Sequence, residues 1–341
     1  MIITVLLVAT YVHDIREFGA VADDKVADNL AIQQAVEAAS LDGYPVYIPP
    51  GIWDLESRSQ QVRLGNPNRL ASVMIRENNR PVTIYGEGPQ SVLRMSGDGY
   101  GGDWWAVTVY RAHDVTIRDL AMDSTGRTGG FAEQQHLLQI YRGSTRVRVE
   151  NVTFLGSISG GKQGGDCIRL LGDSGADAVE DVSLVRIRSV VCDRSVVSFQ
   201  RGVRRVSISD LTCGQVSDQC IDFEPTGLSS PELRIQDVTL SGIVDTRVTQ
   251  TYSLTLFRAD RIRLLDSFVN GRVYMLECND CWVERNVIQG QVLARDSNRV
   301  SISNNRTPEV KITRGTEMQT ERNLAVTTVE TCLVRWLSFC F

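Results

Sequence analysis

Residues 182–210 read VSLVRIRSVVCDRSVVSFQRGVRRVSISD, and the way this stretch repeats decides the fold. It opens and closes on one five-residue unit, VSLVR ending at Arg186 and VSISD ending at Asp210. Each unit is an apolar-x-apolar strand, one further residue, and a polar corner. Between them VVSFQ (196–200) is a strand of a second kind. Period-two alternation marks strands, and both kinds recurring without a helix between them point to a repeat architecture.

Outward from this stretch the first unit recurs as VTIRD at Asp119, VRVEN at Asn151, LRIQD at Asp237, IRLLD at Asp266, CWVER at Arg285 and VSISN at Asn304. Six of the eight units end on Asn or Asp, which tolerate left-handed backbone and bond their own main chain, as a tight corner requires. An earlier relative, VTIYG, gives the same corner to Gly86. The second strand kind recurs as LLQIY (137–141), CIRLL (167–171), CIDFE (220–224) and SLTLF (253–257). Together they predict an all-β fold, a single-stranded parallel β-helix whose coils stack about 4.8 Å apart. The competing all-β arrangement, a sandwich, relies on hairpin turns rather than repeated corners.

Strand centres at Ile84, Ile117, Val149, Leu184, Ile208, Ile235, Leu264, Val283 and Ile302 lie 33, 32, 35, 24, 27, 29, 19 and 19 residues apart. The last two intervals are bare coils. The excess before Leu264 belongs to loops, where binding and chemistry concentrate on a rigid scaffold. Asp28 followed by NLAIQQAVEAAS reads as an N-capped amphipathic helix with Ile32, Ala35, Val36 and Ala39 on one face, placed to cover the open N-terminal edge. The chain is thus expected to be one domain, residues 1–341. Residues 1–55 are the N-terminal strand, capping helix and first coil, 56–324 the coils, and 325–341 a C-terminal apolar segment. Met1–Ala9, MIITVLLVA, has the length of a signal-peptide core without a charged leader, and reads equally as a strand.

The 341 residues carry 36 basic and 41 acidic side chains, a net charge of −5. This balance, without basic blocks, argues against nucleic acid as a partner, and no apolar run approaches the ~20 residues that span a bilayer. Only Lys25, Lys162 and Lys311 are lysines, so arginine is nearly the whole basic complement. Most arginines are scattered and read as genome base composition. Most of the eight cysteines sit in apolar stretches and read as buried thiols rather than disulfides. Cys278 and Cys281 form a single CxxC without the further ligands a zinc site needs, so no metal and no cofactor is expected.

REFGAVADDKVADNLAIQQAVEAA (16–39) resembles the N-terminal signature, approximately DFGAxxDGxxDDxxAIQxAxxAA, of the pectate-lyase-like, right-handed parallel β-helix superfamily. YPVYIPPGIWDL (44–55) resembles its strand and PPG turn, and VTIYGEGPQSVLRM (82–95) its first full coil. The chain departs from the pattern at Ala22–Asp23–Asp24, where an Asp-Gly pair is usual. The resemblance implies a carbohydrate-facing protein acting on a polysaccharide laid along the helix flank. The superfamily spans polygalacturonases, pectate and alginate lyases, glucanases, epimerases and phage tailspikes, so it does not choose a reaction.

Aligning the second strand kind puts Ile168, Val197, Ile221 and Leu254 inward. Gln139, Arg169, Ser198, Asp222 and Thr255 then face outward, followed two positions on by Tyr141, Leu171, Gln200, Glu224 and Phe257. Asp166, Arg194 and Asp218 precede the strands. This is a polar flank in which Asp222, Glu224, Asp218 and Asp166 are the candidate catalytic residues. Arg169, Arg194, Gln139, Ser198, Gln200, Tyr141 and Phe257 are candidates for holding substrate. Asp222 and Glu224, two apart on a strand, sit about 6.5–7 Å from each other, within the roughly 6.5–9.5 Å that inverting glycosidases use. GGDCIRL around Asp166 resembles the GDDCI element of polygalacturonases, but Gly165 replaces one of its aspartates and the family's NTD, GHG and RIK elements are missing. A lyase would instead use Arg169 or Arg194 to remove a proton beside a uronate, with Ca²⁺ held by the acids. His13, His113 and His136 lie away from the cluster in sequence and read as structural. The expected function is therefore glycoside hydrolysis, with a lyase, or a non-catalytic glycan-binding or tailspike fibre, as alternatives. A monomer is expected, a trimer if the chain belongs to a virion, and the site of action is extracellular or virion-associated.

Overall fold

Left-handed corners turn the chain. Asp119, Asn151, Arg186, Asp210, Asp237, Asp266, Arg285 and Asn304, the ends of all eight units, have φ between 50° and 58°. The computed structural model describes residues 11–56, 69–98, 102–130, 134–157, 165–226, 230–247 and 252–332, with side chains to 324. Met1–Ala9, Lys162 and residues 333–341 lie outside this set. Every pairing in the large sheet is parallel, and the architecture is the expected parallel β-helix.

One face carries the site on successive strands. They are β1 (Arg69–Arg76), β2 (Asp103–Tyr110), β3 (Gln135–Tyr141), β4 (Ile168–Leu171), β5 (Val197–Phe199), β6 (Ile221–Phe223), β7 (Tyr252–Phe257), β8 (Arg272–Leu276) and β9 (Gln291–Arg295). Their inward row, Leu138, Ile168, Val197, Ile221, Leu254, Val273 and Val292, is wholly buried. Each such side chain stabilises the fold by about 1.5–3 kcal/mol, so the column holds the coils in register.

The helix, α1 (Asn29–Asp42), buries Ile32, Ala35, Val36 and Ala39 as expected. Its end is built differently from the expectation. Asp28 stands at the N-cap, but its carboxylate accepts the N–H groups of Val21 and Asp54 at 3.0 Å each, joining the first loop to the first coil instead of capping the helix. Gln33 pairs its amide with the N–H and C=O of Met74 (2.8 and 3.0 Å), so α1 satisfies backbone of β1, the edge strand it covers.

Three further expectations are corrected. The register pairs Ile208 with Leu240 and Leu240 with Leu264, so LRIQD is not the counterpart of VSISD; Asp237 lies level with Arg205 at the preceding corner of the coil. A second family of left-handed corners, invisible to the apolar pattern, caused the misalignment. Gly86 does not adopt positive φ; it is required because a Cβ there would meet Ser91 and the Asp119 carbonyl within 2.7 Å. The arginines are not mere background. Along the second corner series Asp114, Arg146, Asp181, Arg205, Asp237, Arg261, Asp280 and Arg299 alternate in sign, all with positive φ, and each arginine reaches back to the preceding aspartate. These pairs are exposed and individually weak. Their alternation penalises a coil slipped by one register, because like charges would then face each other.

The cysteine expectation fails in part. Cys167–Cys192 and Cys213–Cys220 are disulfides, whereas Cys278 and Cys281 are buried free thiols. Apolar surroundings suit either state. What decides is Cα separation, 5.7 and 5.8 Å here, created by coil stacking for Cys167–Cys192 and by the seven-residue turn within one coil for Cys213–Cys220. At the far end the strand Leu324–Cys332 pairs with Arg306–Gly315, so stacking continues into the segment read as an apolar tail.

Candidate active site

Register brings the predicted row together: Gln139, Arg169, Ser198, Asp222 and Thr255 are consecutive lateral neighbours on β3 to β7. The row is not the solvated flank expected of it. Gln139, Ser198, Asp222, Thr255 and Gln200 are all buried, and Asp222 retains 7% exposure. Two causes are visible. Side chains one coil apart screen each other, and Arg194, from the corner before β5, lies across the row. At the N-terminal end the face becomes apolar, with Ala71, Met74, Trp105 and Tyr141 forming a small separate core. Tyr141, at 3% exposure, belongs to that core and stacks on the half-buried Tyr110 (centroids 5.6 Å) rather than standing free for a sugar.

Asp166 is the hub. Its Oδ1 accepts Arg194 Nε (2.8 Å) and the Ser195 N–H (3.2 Å), and its Oδ2 accepts Arg194 Nη2 (2.6 Å) and Ser198 Oγ (2.6 Å). Burial by itself would raise this carboxyl; the Arg194 guanidinium overrides that and carries it down to about 2. Wholly buried and with its lone pairs taken, Asp166 has no open face towards a substrate. Arg194 is correspondingly raised above its ordinary value, Asp166 outweighing the effect of burial. Its Nη1 lies 3.5 Å from Glu224 Oε2.

Glu224 is the open member of the group, with its side chain 46% exposed and Oε2 also receiving Gln200 Nε2 at 3.1 Å. Asp222, one outward position earlier, accepts Thr255 Oγ1. Burial raises its carboxyl to about 7 against that hydrogen bond, with repulsion from Glu224, Asp166 and Asp218 adding to the rise. Asp218 is half-buried and also raised, chiefly by burial. At neutral pH a protonated and an ionised form of Asp222 therefore coexist beside Glu224.

Sequence distance misjudged His136. It lies on β3, fully buried, with Nδ1 accepting the Asp166 N–H at 3.1 Å and Nε2 at 3.1 Å from Arg169 Nη1. Burial, helped by Arg169 and Arg194, holds its pKa well below the usual value, so the ring is neutral. Arg169 also donates to Gln134 and is lowered by burial. The remaining histidines fit the expectation: His13 bonds Asp42 and His113 bonds Thr145, both remote from this face.

Two supports were not legible in the sequence. Arg247 forms a buried two-pronged pair with Asp245 (2.7 and 2.8 Å) and donates to the Asp218 carbonyl at 2.7 Å, tying the acidic corner to the next coil. The disulfides flank the same residues. Cys167 adjoins Asp166, Cys192 lies two residues before Arg194, and Cys220 sits midway between Asp218 and Asp222. Among the described residues no three His, Cys, Asp or Glu side chains converge on one metal position.

The fold and its mid-face acid cluster define a parallel β-helix protein of the pectate-lyase-like type. The chain belongs to the family described as rhamnogalacturonase A/epimerase, pectate lyase-like, whose profile matches residues 12–186. No curated protein matches it by sequence. Among solved structures it is similar to the mannuronan C-5 epimerase AlgE4 A-module of Azotobacter vinelandii, at 14% identity over 95% of this chain and 100% of that one, TM-score 0.63. It is similar to a tailspike of E. coli bacteriophage HK620 solved with a pentasaccharide, at 11% identity over 94% and 65%, TM-score 0.63. A third is tailspike gp49 of Acinetobacter baumannii bacteriophage Fri1, described as a capsular polysaccharide depolymerase, at 11% over 96% and 64%, TM-score 0.58. The chain spans about two thirds of either tailspike. At these identities the likeness is one of fold.

Proposed function

We propose that the protein is a polysaccharide-degrading glycoside hydrolase, with Asp222 as proton donor and Glu224 as the base that activates water. The observation that carries this reading is the buried Asp222 carboxyl, raised to about 7, two residues from a solvent-reaching Glu224. A carboxylic acid kept protonated near neutrality can deliver its proton to a leaving glycosidic oxygen. The strand spacing of about 6.5–7 Å leaves room for a water on the opposite face of the sugar, so inversion is expected. Burial keeps Asp222 protonated, and Asp218 adds a smaller repulsion. Asp166 acts as a positioning residue, holding Arg194 so that its outer edge orients Glu224. The tailspike and epimerase likenesses support a glycan substrate, and the two disulfides support action in an oxidising, extracellular setting.

Reducing-end release from a panel of acidic and neutral polysaccharides tests the assignment. Asp222→Asn and Glu224→Gln should each lower kcat about 10²–10⁴-fold, and wild-type activity should decline as pH rises through about 7. Wild-type-like release by both variants sinks the assignment. Products carrying an unsaturated uronate in place of a new hydrated end would transfer the chemistry to elimination, with Arg169 or Arg194 as the base.

A further inference from the structure

Resting on that reading, we infer that a second binding element lies on the C-terminal side of the acid pair: Tyr252, Phe257, Arg272 and Tyr274 form a subsite for a sugar residue bearing an anionic group. The register places Tyr274 in the same lateral row as Asp222, through Thr255, so it sits two coils along, about 10 Å away. A glycan running along the helix axis reaches it within about two sugar rings of the proton donor.

The four side chains make one half-buried patch. Tyr252 stacks on Tyr274 (centroids 5.7 Å, planes 30° apart), Phe257 meets Tyr274 edge-on (5.2 Å), and Arg272 lies 5.7 Å over the Tyr252 ring. Among the described residues neither phenol hydroxyl has a hydrogen-bond partner, and Arg272 has no carboxylate partner. The second point separates it from most arginines around it. Arg194, Arg234, Arg247, Arg258, Arg261 and Arg285 all hold Asp or Glu. Arg272 is half-buried with an aromatic face against it and its donors not taken up by a carboxylate, a setting in which a guanidinium can recognise a carboxylate or sulfate in two-pronged fashion. The tyrosine edges supply apolar surface and hydroxyls for the ring that carries that group. The acid cluster repels an anionic residue at the point of cleavage. Arg272 accepts one two coils away, which sets the register of an acidic glycan over Asp222.

The test is calorimetric binding in a Glu224→Gln background, with glycan integrity checked by sizing afterwards. The probes are uronan hexasaccharides, their carboxyl-reduced counterparts, and a sulfated galactan hexasaccharide. An acidic probe is expected to bind at least tenfold tighter than its neutral counterpart. Arg272→Ala should erase that preference, Arg272→Lys should retain part of it, and Tyr274→Ala should weaken acidic and neutral probes alike. Thermal melts of all variants confirm folding. Whether the uronan or the sulfated arm shows the preference identifies the anionic group. An acid preference that survives Arg272→Ala, or no preference at all, overturns the subsite. The two readings fail separately. Cleavage by wild type without charge preference removes the subsite alone, charge-selective binding without cleavage removes the hydrolase alone, and no binding of any probe removes both.

Discussion

The coils around residues 166–224 and those after Leu264 are built on the same strands and corners, yet they bury opposite kinds of polar group. In the C-terminal coils the buried polar groups are neutral and repeat. Asn286, Asn305 and Asn323 form a ladder, each accepting from the backbone N–H one coil earlier and donating to a carbonyl such as Val283 O (2.7 Å from Asn305 Nδ2). In the central coils buried charges join the neutral serines and Gln200, each in a singular arrangement: Asp166 with Arg194, Asp245 with Arg247, and Asp222 with Thr255 but no ion-pair partner among the described residues. Both disulfides found among the described residues lie there, while Cys278 and Cys281 of the later coils stay reduced. A ladder satisfies itself by repetition. A buried charge is tolerated only in one geometry, and apolar packing would serve stability as well or better. On the proposed reading, the central charges serve position and acid strength.

The comparison breaks most readily at Asp166. Asp166→Ala strips Arg194 of its buried counter-ion, leaving it the half-exposed Glu224, and should cost about 3–5 kcal/mol in denaturant unfolding, together with loss of activity. If stability holds, the hub role is wrong.

Next in size, Asp222 should act against stability. Its folded carboxyl, raised to about 7, exceeds its unfolded value near 4, so between those pH values the unfolded chain binds fewer protons and stability falls as pH rises. Asp222→Asn should therefore be more stable than wild type at pH 8, by on the order of 2–4 kcal/mol, and show little gain at pH 4. An equal Tm difference at both pH values would refute the raised acid.

The smallest effect sharpens the other side. Asn305→Ala removes one rung and should cost about 1–3 kcal/mol while leaving kcat unchanged. A loss of activity there would mean that the bare coils contribute to the site beyond their role as scaffold.

The period-two units and their Asn or Asp ends made the coils readable. The alternation of the CIDFE strand puts Asp222 and Glu224 on one outward face, in adjacent rows. Legibility ended where a contact depended on which coil follows which. The alternating Asp114-to-Arg299 corner series lacks an apolar period, so LRIQD matches VSISD in pattern although its Asp237 belongs one corner earlier. His136 lies 30 residues from Asp166 in sequence and one coil away in space. Arg272 is one arginine among many until the register sets it beside Tyr252.

By itself, then, the sequence determined the coil, its parallel strands, its helical N-terminal cover and the outward row of acids, because those follow from local periodicity and backbone preference. Only the tertiary structure decided which acid is buried and raised, which cysteines are joined, and that Arg272 lies against an aromatic ring instead of a carboxylate. Apart from the short Cys213–Cys220 link, seven residues long, those properties depend on what lies one coil away, about 4.8 Å across the sheet but 19 to 35 residues along the chain.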